Sequence, residues 1–504
     1  MSTLGLDIGT SGCKAVVFDD CGRQLSSARR NYKVISPQLG QAELDSAAVG
    51  DACLSVIKET AGSCSSDPVC SLAISSQGEA FTLLDEKGQV LANAMVSSDQ
   101  RAVDELDSCP ISTEALYRIT GHTPHPMFSL FKLLWLRRKR PDILDRARYL
   151  LCFEDYIHYR LGLQPAISHS LAARTMLYDV RVQNWSREIL DTVGLRMEQL
   201  SRPLESGAAV GRLSKSMSET LNLATGTIVV AGGHDQVCAA LGSGAVDPGQ
   251  AALGSGTVEC ITVTTAEPFI DFKLMQSNLC AYPHTMTDRY ATLAYNLTGG
   301  NLLQWFRDEW SSREVNAAER SHQDVYELIL DGMATQPSSL LVLPYFAASG
   351  TPYFDSLTPA AILGLRLATS RGEVLRGLLE GLAFELALNF QILSDVGVSV
   401  HELIATGGGA RNRAWLQLRS DIFNLPISVP ELTEAGCLGC AVLAYAAISD
   451  EDPTSLLKRW VRIREVVMPI PENAEFYRTR RDAYLALRPM LRAFEEKHGV
   501  ISEL

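Results

Sequence analysis

Three glycine-rich turns constrain this chain most: Asp7-Ile-Gly-Thr-Ser-Gly12, Gly254-Ser-Gly-Thr257 and Gly407-Gly-Gly409, each directly after a β-like apolar run. Glycine lets the backbone approach an anion closely, and successive N–H groups donate to it without adding net charge. A single turn of this kind reads equally as an ordinary hairpin turn. Two that carry small hydroxyls, on opposing halves of a chain, can clamp one polyphosphate from both sides. The sequence has no GxxxxGK[ST], which excludes a Walker A loop, and no complete GxGxxG, which argues against a dinucleotide fold.

The segments around the turns alternate in period and predict α/β layers. Residues 4–8 and 13–18 read as strands around the first turn, with Asp20-Cys-Gly22 turning toward a third, so an antiparallel meander opens the fold. Asp45 is placed to cap a helix over 45–61. Residues 69–74 form a strand, and 80–91 a hairpin turned at Glu86-Lys-Gly88. A similar start recurs in mid-chain. Residues 227–231 are a strand, 232–235 a glycine-rich break and 236–241 the opening of a helix, while 250–253 and 258–264 are strands around the second turn. Two related halves facing each other are expected, divided at Asp247-Pro-Gly249 into domains 1–246 and 247–504. A long helix over 373–395 and a strand over 403–405 precede the third turn. The charged tail after Glu451 reads as a solvated helical face.

The chain has 504 residues and a net charge of −13. That balance argues against nucleic acid or an anionic membrane as partner, because both need clustered Lys and Arg. It leaves room for a phosphorylated small molecule held by backbone N–H groups. The 12 cysteines are scattered rather than framed, which fits reduced thiols and a cytoplasmic location. Cys437-Leu-Gly-Cys440 lacks a second pair and reads as helix packing. His122 and His125 lack a third metal ligand, and Asp155 reads as structural.

Two aspartates stand beside glycine breaks. Phosphoryl transfer needs a metal ion bridging phosphates, positioned donors, and a carboxylate that takes the proton of the attacking hydroxyl. Asp7 suits the metal role through water. Asp235 suits the base role, and equally reads as a helix N-cap before Gln236.

Asp7-Ile-Gly-Thr-Ser-Gly-Cys-Lys-Ala-Val-Val-Phe-Asp19 resembles the first phosphate motif of the FGGY carbohydrate kinases. Ser76-Gln77, Ser98-Asp99-Gln-Arg101, Gly233-His-Asp-Gln236, Leu253-Gly-Ser-Gly-Thr257 and Gly407-Gly-Gly-Ala-Arg-Asn412 resemble later motifs of that family, in order, over nearly the whole chain. The resemblance implies two actin-like, ribonuclease-H-like domains with ATP and sugar in the cleft between them. It implies Asp235 as general base, and Asp7 with Asp235 at a magnesium ion. Thr10, Ser11, Lys14 and Ser255 would face the phosphates, Gly299 and Gly300 would line the nucleotide, and Gly408, Gly409 and Asn412 would pack on adenosine. Gln77, Glu79, Asp99, Arg101, Asp235 and Gln236 would contact the substrate, a small sugar or polyol. A homodimer is a further expectation, although no heptad demonstrates one.

The substrate motifs are mixed. Glu79 and Gln236 resemble glycerol kinases, whereas Glu380-Gly381 and the short substrate loops look more like the pentulose and sugar-acid branches. Gly78 and Ser97 replace bulkier residues and predict a wider pocket. A ketose such as xylulose is therefore expected, with glycerol, a tetritol or a sugar acid such as gluconate as alternatives. From a different class, a non-catalytic actin-like sugar sensor would keep the fold but would usually lose Asp7 or Asp235. Arg174 reads as a structural salt bridge or as a substrate-orienting residue. His234 reads as a turn filler or as a neighbour tuning the base. Trp305 and Phe306 read as core.

Overall fold

The computed structural model describes residues 1–355 and 357–499. In the first half, β1 (Ser2–Ile8), β2 (Gly12–Phe18) and β3 (Gln24–Asn31) form the expected meander. β4 (Val69–Ser76), β5 (Ala209–Arg212) and β6 (Ile228–His234) complete a six-stranded sheet of order β5-β6-β4-β1-β2-β3. β4 lies parallel to β1 and β6 parallel to β4, while β5 closes the edge antiparallel.

The second half repeats this plan. β7 (Gln250–Ser255), β8 (Glu259–Thr265), β9 (Tyr282–Pro283), β10 (Tyr290–Asn296), β11 (Glu402–Gly407), β12 (Ile427–Pro430) and β13 (Ile463–Val467) pair in the order β9-β10-β8-β7-β11-β12-β13. A three-strand antiparallel run, two parallel strands and an antiparallel edge strand occur in both sheets. The duplication is thus visible in topology where sequence identity between the halves is faint. β1 is buried along almost its whole length, as a central strand covered on both faces must be.

Helices cover the sheets. α1 (Ser46–Gly62) is capped by Asp45, whose carboxylate accepts from the backbone N–H groups of Ala47 and Ala48. α2 (Asp235–Ser243) follows β6, α3 (Gly300–Trp310) follows β10, and α4 (Arg371–Asp395) starts at a Ser370–Glu373 capping box. α5 (Arg413–Phe423), α6 (Ala435–Ser449) and α7 (Pro471–His498) complete the frame that positions the site. No helix among the described residues is long and apolar enough to cross a membrane.

α2 and α6 occupy equivalent places after the last parallel strand of each sheet, and they pack on each other. α6 buries Leu438, Ala441 and Val442 against Val16, Ala73 and Val230 of the first sheet. Ala240 of α2 lies with Ala252 and Ile404 of the second. Glycines permit backbone contact at the crossing. A Cβ on Gly439 would stand 2.1 Å from the Cys238 carbonyl oxygen, and one on Gly242 1.9 Å from that of Ala435. Cys437 and Cys440 are buried in this packing, in line with their structural reading.

Two expectations need correction. β6 runs through Gly232 and Gly233 to His234, so the expected glycine break is strand with a register shift. The reason is proximity: a Cβ on Gly232 would lie 2.0 Å from the Ile74 carbonyl oxygen. The tail is also more than a solvated face. α7 buries Tyr477, Tyr484 and Leu487 against Phe384 of α4, with the Tyr484 ring stacked at 4.9 Å.

The same interface holds an ionisable group. Glu385 accepts hydrogen bonds from the hydroxyls of Tyr345 at 3.0 Å and Tyr484 at 2.6 Å, and burial pushes its carboxyl up to about 7 from 4.5. The folded value lies above the unfolded one. Its stabilising contribution is therefore fully present below pH 4.5 and is lost as pH rises through about 7. E385Q, which cannot ionise, is expected to flatten the corresponding fall in Tm, equivalent to roughly 3 kcal/mol across the window. Melting curves of both proteins from pH 4.5 to 8 check this, and equal slopes would remove Glu385 from the account.

Candidate active site

The first glycine turn is braced from beneath. Thr10 donates to Gln77 Oε1 at 2.8 Å, the Gln77 amide nitrogen donates to the Gly9 carbonyl at 3.3 Å, and the Tyr32 hydroxyl donates to the same carbonyl at 2.6 Å. Both ends of the Gln77 amide are thus engaged by the turn, each with one further hydrogen-bonding position left. Ser11 remains exposed at the tip. Lys14, opposite Asp7 in the β1–β2 register, is ion-paired with Glu434 at 2.6 Å.

Asp7 lies near the end of β1, where Ser75 donates to its Oδ1 at 2.7 Å. A Cβ on Gly436 would lie 3.2 Å from the same carboxylate, so the N-terminus of α6 is directed at it. Burial nevertheless raises the Asp7 pKa, opposed by the Ser75 hydrogen bond.

Asp235 is the first residue of α2, with His234 at the N-cap position. Its side chain keeps 29 % exposure, while Oδ1 is buried without a hydrogen-bond partner. Burial, with the Asp7 and Glu79 charges adding to it, pushes this carboxyl up to about 7, against hydrogen bonding from Gln236. His234 Nε2 lies 3.2 Å from Asp235 Oδ1 and its Nδ1 lies 3.1 Å from the Tyr282 hydroxyl. Burial holds His234 well below the usual imidazole range, so this neighbour is neutral.

Glu79 and Arg174 form a buried ion pair across 95 residues of sequence. Arg174 Nε donates to Glu79 Oε1 at 2.7 Å and Nη2 donates to the same oxygen. The guanidinium also lies 5.1 Å from the Phe128 ring centroid. Glu79 takes a left-handed backbone conformation, φ 64°, which a non-glycine residue adopts at some strain. Gly78 does not widen the pocket as expected, because Arg174 and His234 fill the space. A Cβ there would stand 3.2 Å from Arg174 Cβ and from the His234 ring.

Asp99, expected on the substrate, is fully buried. It accepts from the Ala42 backbone N–H at 2.7 Å and from the Arg101 guanidinium at 2.7 Å, and Arg101 also pairs with Glu43 at 2.7 Å. The three charges satisfy one another. Nearby, Lys132 is buried with its ammonium on the Met95 carbonyl at 3.2 Å, and burial pushes it down to about 8.

In the second half a cavity of about 300 Å³ is lined by Ser255, Gly256, Thr257, Gly300, Gly408, Gly409 and Asn412, with Trp415 on one wall. Gly299 precedes α3, and the Gly300 N–H donates to the Gly256 carbonyl at 3.0 Å, which joins two of the expected nucleotide segments. Asn412 caps α5. Ser255, on the cavity lining, accepts from Arg419 at its Oγ at 2.9 Å and keeps its own O–H free to donate.

Several residues fulfil their bland readings. Phe306 is core, Asp155 accepts from Ser201 at 2.6 Å, and His122 bonds the Thr120 carbonyl at 2.7 Å. Sequence reasoning missed Ser75, Tyr32, Lys132, Glu434 and the Arg419–Glu259 pair, none of which carries a local motif.

The family model of the FGGY family of carbohydrate kinases matches in both parts, the N-terminal domain over residues 2–242 and the C-terminal domain over 251–448. The chain is 27 % identical to the xylulose kinase of Bacillus subtilis (strain 168), covering 95 % of each. It is 30 % identical to the autoinducer-2 kinase of Salmonella choleraesuis (strain SC-B67), over 96 % of this chain and 93 % of that one. Its fold superposes on that of a xyloylose kinase from Brucella ovis with a TM-score of 0.87 at 27 % identity, covering 98 % of this chain and 100 % of that chain. Two matching sheets, an actin-like arrangement and both family domains agree: this chain belongs to the FGGY family of carbohydrate kinases and is an ATP:sugar phosphotransferase.

Proposed function

We propose that the protein transfers the γ-phosphoryl group of ATP to a hydroxyl of an uncharged ketose or polyol of about xylulose size, with Asp235 as general base. The observation that carries this reading is Asp235 itself: a partly exposed carboxylate at the start of α2, pushed up by burial to about 7, with its buried Oδ1 3.2 Å from the neutral His234 ring. With a pKa of about 7, about half of Asp235 is ionised at neutral pH, and that form takes the hydroxyl proton as the oxygen attacks. The sugar oxygen forms its bond to phosphorus, the bond to the ADP oxygen breaks, and the proton resides on Asp235.

The remaining residues orient and enclose. The first turn and residues 254–257 flank the polyphosphate, and the halves 1–246 and 247–504 shut water out when they close. Asp7 and Asp235 also fit a magnesium ion. The Asp7 charge helps raise the Asp235 carboxyl, and the nearby Lys14 is already paired with Glu434. Bound there, the ion would neutralise phosphate charge.

The preference for a neutral substrate rests on charge. Arg174 is committed to Glu79, and Asp7 and Asp235 would repel a sugar carboxylate. An ADP-release assay with xylulose, other ketoses, polyols from glycerol to hexitols, and gluconate tests this. The expected result is highest kcat/KM for a ketose. Gluconate as the sole good substrate would refute the charge argument, and glycerol alone the size argument.

A further inference from the structure

We infer that Arg419 and Glu259 are positioning residues for the nucleotide, forming a buried strut that fixes the second glycine turn from behind. This rests on the reading above that residues 254–257 flank the polyphosphate.

Arg419 on α5 is 1 % exposed and Glu259 on β8 is fully buried. Arg419 Nη2 donates to Glu259 Oε1, and Nη1 donates to Ser255 Oγ at 2.9 Å. The guanidinium lies 3.9 Å from the Trp415 ring centroid, and Trp415 forms a wall of the cavity. One side chain therefore ties β8, the second turn and the aromatic wall together.

The strut meets the Gly299 segment directly and the third turn only through Ser255 and Trp415. A Cβ on Gly299 would stand 2.9 Å from Glu259 Cγ, and one on Gly409 would stand 2.5 Å from Ser255 Cβ and 3.2 Å from the Trp415 ring. Gly407 takes φ 78°, and a Cβ there would meet the Ser255 carbonyl oxygen at 2.7 Å. Ser255 is thus the common neighbour of the strut and of the third turn.

A buried ion pair is weak support for stability alone, because well-packed apolar residues often serve as well. A planar guanidinium with donors on separate nitrogens fixes direction, which apolar packing does not. Here it holds the Ser255 side chain at the end of β7 and so fixes the position of the turn that follows. The strut touches no reacting atom; it acts through Ser255 and Trp415.

The test measures ADP affinity by calorimetry in magnesium buffer, together with KM for ATP and for the best sugar, in R419M, R419K, E259Q, S255A and G256A. R419M is expected to weaken ADP and raise the ATP KM about tenfold or more, with the sugar KM within about twofold of wild type. Lysine reaches one partner but not both, so R419K should fall between the two. E259Q keeps the shape of the pair and supplies the same test if R419M does not fold. S255A removes only the inner anchor and should change ADP affinity about threefold.

A lower Tm with unchanged ATP KM in R419M and E259Q would make the pair purely structural and overturn the inference. A loss in S255A far exceeding that in R419M would show that Ser255 meets phosphate directly, and would also overturn it. G256A separates the two levels, because a methyl there meets nothing closer than 3.8 Å within the protein. Weaker ADP binding in G256A supports the nucleotide reading of the turn. Unchanged binding there would overturn that reading and the inference together.

Discussion

Asp235→Asn is expected to lower kcat by about 10³-fold while leaving ADP affinity within about twofold of wild type. Asparagine preserves the shape beside His234 and the start of α2, but its amide cannot take the proton of the attacking hydroxyl. General-base catalysis contributes about 10²–10⁴ to a rate, which sets the size of the loss. Binding of ADP should survive, because the cavity of about 300 Å³ is lined by residues of the second half. Steady-state ADP release and calorimetry check the two halves of this expectation. Sustained turnover in the variant would remove Asp235 from the role of base.

Arg174→Met should have the next largest effect, and by a different route. Glu79 and Arg174 side chains are 5 % and 6 % exposed, so removing the guanidinium leaves a buried carboxylate without its counter-charge. Breaking such a pair costs about 3–5 kcal/mol. The protein is expected to lose stability by that order and kcat/KM for the sugar about 100-fold, with ATP binding little changed. Arg174→Lys cannot make the forked contact and should be intermediate. In the double variant E79Q with R174M the uncompensated charge is gone, so stability should recover while sugar turnover does not. Wild-type kcat/KM in R174M, measured beside its melting curve, would confine the pair to a structural role.

The parts of the site legible in sequence are those built from neighbours in the chain. The strand–turn–strand around Gly9 and Gly12 could be read because apolar runs, glycines and small hydroxyls lie side by side. The capping of α1 by Asp45 could be read for the same reason, as could the long helix read over 373–395 and observed over 371–395. Pairs assembled by topology could not. Lys14 meets Glu434, Glu79 meets Arg174 and Glu259 meets Arg419 across long stretches of sequence, and no local pattern announces a partner.

Glycines misled where close packing, not turning, requires them. Gly232 sits within a strand because the Ile74 carbonyl leaves no room for a Cβ. Gly78 suggested an open pocket, yet Arg174 and His234 occupy the space from elsewhere in the fold. Asp99 and Gln77 carry the right chemistry for a sugar and are also bonded to Arg101 and Thr10, and no local pattern announces the partner of Gln77. A motif states which groups are present; only the packing states which of them remain free.

The central claim is that this cleft delivers the phosphoryl group to a substrate hydroxyl rather than to water. Phosphorus NMR of the product, taken with the ADP released from the best sugar of the panel, tests it most directly. One phosphate ester per ADP is expected, with almost no ADP when sugar is omitted. ADP formed at the same rate without sugar, with inorganic phosphate as the product, would contradict it.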